Sequence, residues 1–130
     1  MLRDRLPGTW QLISLETHRA DGEITWPFGP NTVGQFVFDA FGNFSVQLMN
    51  PDRAENDAAG YSAFFGTYEV DEEHRSFTLS VRGSLASKMI GKRIVRFVSF
   101  RDGLAVFTPG PQDMGGVGVK SYITWKKISS

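Results

Sequence analysis

Cysteine is absent from this 130-residue chain, which excludes disulfides, thiolate metal sites and a cysteine nucleophile. That composition fits a reducing compartment, and a cytoplasmic location is the expectation. Long apolar runs are absent as well. No stretch approaches the roughly 18 apolar residues of a membrane helix. The opening "MLRDRLPGTW" has no apolar segment of signal-peptide length, so no membrane association is expected. An excess of either charge is also missing: 14 Lys and Arg balance 14 Asp and Glu. The basic residues are densest in "GKRIVR" (91–96) and "KK" (126–127), without the basic stripe and interleaved aromatics of a nucleic-acid binder. A nucleic-acid partner is not expected.

Histidine is scarce. His18 closes the first apolar segment and His74 sits in the acidic run "VDEEHRS", and neither has metal-ligand spacing to the other or to a carboxylate pair. No metal and no cofactor are expected. Helical periodicity of useful length is missing too, which argues against a doubly wound α/β architecture.

What the chain does have is aromatic side chains, 11 Phe, 3 Trp and 3 Tyr, set among 14 Gly. Aromatics in strand-length segments between turn residues point to an all-β protein. The segments are "TWQLISLET" (9–17), "GQFVFDA" (34–40), "NFSVQLM" (43–49), "YSAFFGTYEVD" (61–71), "HRSFTLSVRG" (74–83), "KRIVRFVSFRD" (92–102), "LAVFTP" (104–109) and "KSYITWKKI" (120–128). Phe41-Gly42 and Asp102-Gly103 mark hairpins. Gly66, in mid-segment, marks a bulge or bend. The polar stretch 50–60 is the one place for a short helix, with Asp52, Glu55 and Asp57 solvated, as are Asp71, Glu72 and Glu73. A run of about eight antiparallel strands covers its apolar faces by closing into a barrel, which also removes its edges. A two-sheet sandwich is the alternative. Either way the chain reads as one domain over 1–130, a size that buries roughly two-thirds of its unfolded surface.

Two features point to a family. "GTW" (8–10) matches the Gly-x-Trp that opens lipocalin-type barrels, where the Trp plugs one end and a basic residue of the last strand stacks on it. "TWKK" (124–127) offers Lys126 or Lys127 for that stack, where lipocalins more often use Arg, in a contact of roughly 0.5–2 kcal/mol. More specifically, "GTWQL", "PFGPNTVGQFVFDAFGNFSVQLMNPDR", "YSAFFGTYEVD" and the Gly-Ser of 83–84 follow one another from Leu6 to about Trp125. In this the chain resembles the bacterial and fungal lipocalin-like domain family. The resemblance implies a single antiparallel calycin-type β-barrel of about eight to ten strands with at most one short helix. The family pattern usually carries a histidine before that Gly-Ser; Leu79 stands there instead, which counts against an acid–base role at that position.

A barrel of this size is either filled by side chains or holds one small ligand. The expected inward set is Phe36, Phe38, Phe44, Val46, Leu48, Phe64, Tyr68, Phe77, Leu79 and Val81, an apolar lining of the kind small-molecule sites use. Arg96 shares strand parity with Ile94, Val98 and Phe100, so an apolar face would carry one guanidinium. Buried arginine needs a partner, for which Glu16, Glu69 or an anionic ligand qualifies. With the opposite parity, Arg93, Val95 and Phe97 would face inward instead. "WPFGPNTVG" (26–34) is expected to form an ordered loop that caps or rims the cavity, with Trp26 and Phe28 folded inward.

The leading reading is a binder of a small hydrophobic or amphipathic molecule. It is lined by Phe36, Phe38, Phe44, Phe64, Tyr68, Phe77 and Leu79, with Trp26 and Phe28 at the rim and Arg96 orienting the polar end. The alternative is a cofactor-independent isomerase, cyclase or hydrolase-like enzyme of natural-product biosynthesis in the same cavity. Arg96, Tyr61, Tyr68, Glu16 and His18 would be its electrostatic or acid–base groups. A filled, purely structural barrel is the third. Apolar outer positions at Ile13, Leu15, Val95 and Phe97 leave room for a homodimer. "MGGVGVKS" (114–121) lacks the glycine before lysine that a phosphate loop needs, and the "NFS" sequon (43–45) has no secretory signal to make it useful.

Overall fold

The computed structural model describes residues 1–54, 57–109 and 120–130. Among them are nine strands: β1 (Gly8–His18), β2 (Ile24–Thr25), β3 (Val33–Phe38), β4 (Asn43–Met49), β5 (Tyr61–Asp71), β6 (Ser76–Ser84), β7 (Arg93–Arg101), β8 (Leu104–Pro109) and β9 (Lys120–Ser129). All pairings are antiparallel, in the order β2-β1-β3-β4-β5-β6-β7-β8-β9, and β1 also pairs with β9. That last pairing closes an eight-stranded barrel and sets aside the sandwich. β2 is the extra strand. It continues the edge of β1 at Thr17 and His18 beyond the stretch of β1, Gly8–Gln11, that pairs with β3.

Two bulges decide which side chains face inward. Along β1 the register with β9 shifts between Leu12 and Ser14, so strict alternation breaks. Trp10 and Leu12 face the interior, and after the shift Leu15 does too, leaving it only 7 % exposed. The expectation of Leu15 on the outside is therefore corrected by the bulge. Ile13, 49 % exposed, remains outside. The second bulge lies where the glycine signal placed it, between Phe65 and Gly66. A Cβ at Gly66 would collide with the Ser80 carbonyl oxygen, so the β5–β6 ladder needs glycine there.

The barrel's middle is filled by rings. Phe36 and Phe38 stack with centroids 4.2 Å apart, Phe77 stands edge-on to Phe38 at 5.3 Å and to Phe107 at 5.0 Å, and Trp125 meets Phe36 edge-on at 5.4 Å. Each such ring contributes roughly 1.5–3 kcal/mol by burial, and each well-oriented pair about 0.5–1.5 kcal/mol more.

One end carries the β3–β4, β5–β6 and β7–β8 hairpins and both chain termini. Asp39 organises the first hairpin, accepting from the Phe41 and Asn43 N–H groups at 2.8 Å each. In the last, Asp102 and Gly103 both take positive φ, as a two-residue turn requires. The same end is closed by a helix the sequence reading did not place, α1 (Leu2–Arg5). One turn has no stability of its own; it is held because Leu2 and Leu6 are buried in the core cluster. The Trp10 Nε1–H donates to the Leu6 carbonyl at 2.9 Å, and Lys127 Nζ lies 5.2 Å from the Trp10 ring, the expected stack. In the polar stretch 50–60 the described residues form a 3-10 turn, Ala58–Gly60, rather than an α-helix. Glu55 and most of "MGGVGVKS" lie outside the described residues.

Candidate functional site

The other end is built from the 19–32 connection, the described parts of the 50–60 stretch, the turn between β6 and β7 with its 3-10 segment Ser87–Met89, the end of β8 and the start of β9. Here the β7 register settles the side-chain directions. Arg96 pairs with Phe77 on β6 and with Pro109 on β8. Residues directly opposite in an antiparallel ladder share a face. Phe77 is 0 % exposed, and Val98, two residues beyond Arg96, is buried in the same core. Arg96 therefore stands on the inner face, partly buried, with Nη1 donating to the Val95 carbonyl at 2.9 Å.

Arg96 opens into a recess of about 520 Å³. Its apolar wall is Met89, Ile94 and Pro109; Ile94 also packs against the ring core. The remaining described lining residues are Lys88, Lys92 and Arg93, all cationic. Lys88 and Met89 come from a turn that the sequence reading left unassigned, and Lys92, read as the first residue of the 92–102 strand, lies just before β7. The signal was the "GKRIVR" cluster, whose density was weighed only against nucleic acid.

The other expected site residues divide cleanly. Phe36, Phe38, Phe44, Phe77 and Leu79 face inward and are buried, and Phe64 packs against them with its ring 5.8 Å from that of Phe44. These rings are occupied by one another. Tyr68 also points in, but its hydroxyl donates to the Asp39 carbonyl at 2.6 Å, in the hairpin of the opposite end. Burial pushes the Tyr68 phenol above its ordinary pKa, and the Asp39 carboxylate adds to this, so it stays protonated at neutral pH.

Tyr61, Glu16 and His18 are not in the interior. Tyr61 lies on the outer face of β5, under the Arg53 guanidinium at 5.4 Å. Glu16 and His18 pair with Tyr122 and Lys120 of β9 on the outer face, because the β1 bulge turned Leu15 inward and Glu16 outward. His18 Nε2 and Glu16 Oε1 lie 3.0 Å apart, and the His18 ring meets Tyr122 edge-on at 4.7 Å. They border a separate outer groove of about 340 Å³ with Arg101 and Thr108. Glu69 is exposed on the outer face of β5. Strand geometry thus separates Glu16 and Glu69 from Arg96, for which they were the expected carboxylate partners.

The 26–34 loop is ordered but splits its two aromatics. A turn closes with the Gly29 N–H donating to the Trp26 carbonyl at 2.9 Å, and the Thr32 hydroxyl donates to the Gly29 carbonyl at 2.7 Å. Asn31 reaches across to Asp52 at 3.2 Å. Phe28 packs against the core. Trp26 does not: it stays 43 % exposed, because the turn that brings Phe28 in directs the residue two before it outward. Among the described residues no three His, Asp or Glu side chains gather as a metal ion would need, and no helix is long and apolar enough to cross a membrane.

The sequence pattern of the lipocalin-like domain matches residues 7–128. The fold is shared with solved structures at low identity. A lipocalin-like protein from Bacteroides uniformis is 16% identical, with a TM-score of 0.50 over 91% of this chain and 96% of its own. An uncharacterized protein from Bacteroides eggerthii is 17% identical, with a TM-score of 0.51 over 93% and 98%. No curated protein matches the sequence.

Proposed function

The chain belongs to the lipocalin-like domain family, a fold that points to small-molecule binding in general, and we propose that it binds a small, mostly apolar molecule at the mouth bounded by β6, β7 and β8. The observation that carries this reading is Arg96, an inner-face guanidinium set between Phe77 and Pro109, in a recess of about 520 Å³. That volume falls within the range of roughly 300–1,000 Å³ usual for small-molecule sites. The apolar body of the ligand lies along Ile94, Met89 and Pro109, and Arg96 orients its polar end. Phe77 and Leu79 back the recess, while Phe36, Phe38, Phe44, Phe64 and Tyr68 hold the barrel wall rigid behind it. Phe28 seals the neighbouring rim.

The catalytic alternative gains no support from geometry. Glu16, His18 and Tyr61 stand outside the barrel and the Tyr68 hydroxyl is engaged at the far end, so the candidate acid–base groups do not converge with Arg96 on one substrate position.

Binding is tested by thermal unfolding of the full chain against a panel of hydrophobic and amphipathic compounds, followed by a structure with the best compound bound. The expected result is a saturable upward shift that Arg96→Ala abolishes, with the compound seated against Ile94. A panel that leaves the melting temperature unmoved, or a compound bound elsewhere, overturns the reading.

A further inference from the structure

Charge is distributed very unevenly for a chain of zero net charge. From His74 to Arg101 there is no Asp or Glu at all. The same stretch holds Arg75, Arg82, Lys88, Lys92, Arg93, Arg96 and Arg101, half of the 14 basic residues. The β6–β7 hairpin folds four of these, Lys88, Lys92, Arg93 and Arg96, around the recess at the barrel mouth. No described lining residue is acidic. Among the described residues Lys88, Lys92 and Arg93 form no ion pair with a carboxylate.

Clustered cations beside low-dielectric walls focus a positive potential and raise the local concentration of anions. The walls are apolar: Met89, Ile94 and Pro109, with Ile94 continuous with the ring core. A free inorganic anion would leave that wall without a partner, and a neutral apolar molecule would leave Lys88, Lys92 and Arg93 without a counter-charge. Arg96 contributes a planar fork suited to carboxylate, phosphate or sulfonate oxygens, anchored through Nη1 to the Val95 carbonyl. The lysines and Arg93 surround it as further donors.

We propose that the natural ligand is an amphipathic anion, an acidic head group on an apolar body, with its head held by Arg96 and the Lys88–Lys92–Arg93 rim. This rests on the binding reading above and narrows it to one chemical class.

Two fluorogenic probes of the same shape test it: 8-anilinonaphthalene-1-sulfonate, which is anionic, and N-phenyl-1-naphthylamine, which lacks the sulfonate. Both are titrated into the folded full chain at low and high salt. The sulfonate should bind about tenfold more tightly, the order expected for gaining a charge-assisted hydrogen bond. Its affinity should fall with salt while that of the neutral probe does not. Arg96→Gln should erase the difference by weakening the sulfonate alone. If that variant fails to fold, Lys92→Gln and Lys88→Gln carry the test, each expected to weaken the sulfonate a fewfold. Equal affinities for the two probes, or a sulfonate affinity untouched by these substitutions, would overturn the anionic class and leave small-molecule binding standing. If neither probe binds, nor any compound of the thermal panel, the binding reading falls and this inference with it.

Discussion

The Glu72 carboxylate ties the β5–β6 hairpin to Leu2: Oε1 accepts the Leu2 N–H at 2.8 Å, and Oε2 accepts the Arg3 N–H at 3.0 Å. An acidic turn that reads in sequence as solvated is thus the cap of the N-terminal helix, satisfying two of the amide groups that a helix start leaves open. Leu2 and Leu6 can then stay buried beneath it, and Leu6 in turn supplies the carbonyl that receives the Trp10 indole. The plugged end of the barrel is a chain of contacts from Glu72 to Trp10.

That cap makes the plugged end acid-sensitive. The Arg3 amide, then the Leu2 amide, hold the Glu72 carboxyl below the ordinary glutamate range. A carboxyl whose pKa is lowered by folding adds stability that is fully present above its unfolded pKa. That stability is lost as pH falls through the native value. Protection of the Leu2 and Arg3 amides from hydrogen exchange, taken relative to the intrinsic rate at each pH, should therefore be high near neutrality and fall once pH drops below the ordinary glutamate range. Glu72→Ala should show little protection at any pH, with no acid-dependent step. Protection that survives in Glu72→Ala would show that burial of Leu2 alone holds the helix.

Much of the barrel was legible because strands announce themselves through alternation and turn residues. The boundaries of 43–49, 61–71 and 104–109 match β4, β5 and β8 residue for residue, and Gly66 marks its bulge. What local pattern could not show was the β1 bulge. One extra residue between Leu12 and Ser14 reverses the facing of everything after it, and neither Ile13 nor Ser14 carries a turn signal. That single shift moved Leu15 inside and placed Glu16 and His18 outside, undoing both as cavity residues. Nor does α1 have a local signature, since its stability comes from a hairpin 69 and 70 residues away. Arg96 was legible by parity alone. Lys92 shares that parity at the start of the 92–102 segment, but its companion Lys88 was not legible, because a turn's side chains are brought to a mouth by tertiary structure rather than by periodicity.

The β5–β6 bulge should tolerate no side chain at its glycine. At Gly66 a Cβ would collide with the Ser80 carbonyl oxygen, which is backbone and cannot swing aside. Gly66→Ala must open the ladder between Val81 and the β5 strand, and overpacking of this kind typically costs about 1–3 kcal/mol. Urea unfolding should show that loss. By contrast, Gly103→Ala faces open space, though its positive φ of 81° makes it a strained turn substitution. Equal stability of Gly66→Ala and the native chain would mean that the bulge register is wrong.

Two buried tryptophans allow a paired measurement of what an indole N–H is worth here. Trp10 Nε1 donates to the Leu6 carbonyl at 2.9 Å, whereas Trp125 Nε1 is buried and has no partner among the described residues. Both rings are almost wholly buried, so replacing either by phenylalanine removes a similar apolar area. Trp10→Phe additionally strands the Leu6 carbonyl and shrinks the surface under Lys127, whose ammonium burial already pushes its pKa below the ordinary lysine value. Trp125→Phe instead relieves an unsatisfied donor, which offsets lost packing by about 1–3 kcal/mol. Denaturant titration should find Trp10→Phe the more destabilising of the two, with Trp125→Phe close to the native chain. Trp125→Ala should still lose about 3–5 kcal/mol through the cavity left against Phe36 and Phe107. If Trp125→Phe proved costlier than Trp10→Phe, the Trp125 indole N–H would have to be satisfied in solution, by water or by a ligand reaching into the barrel.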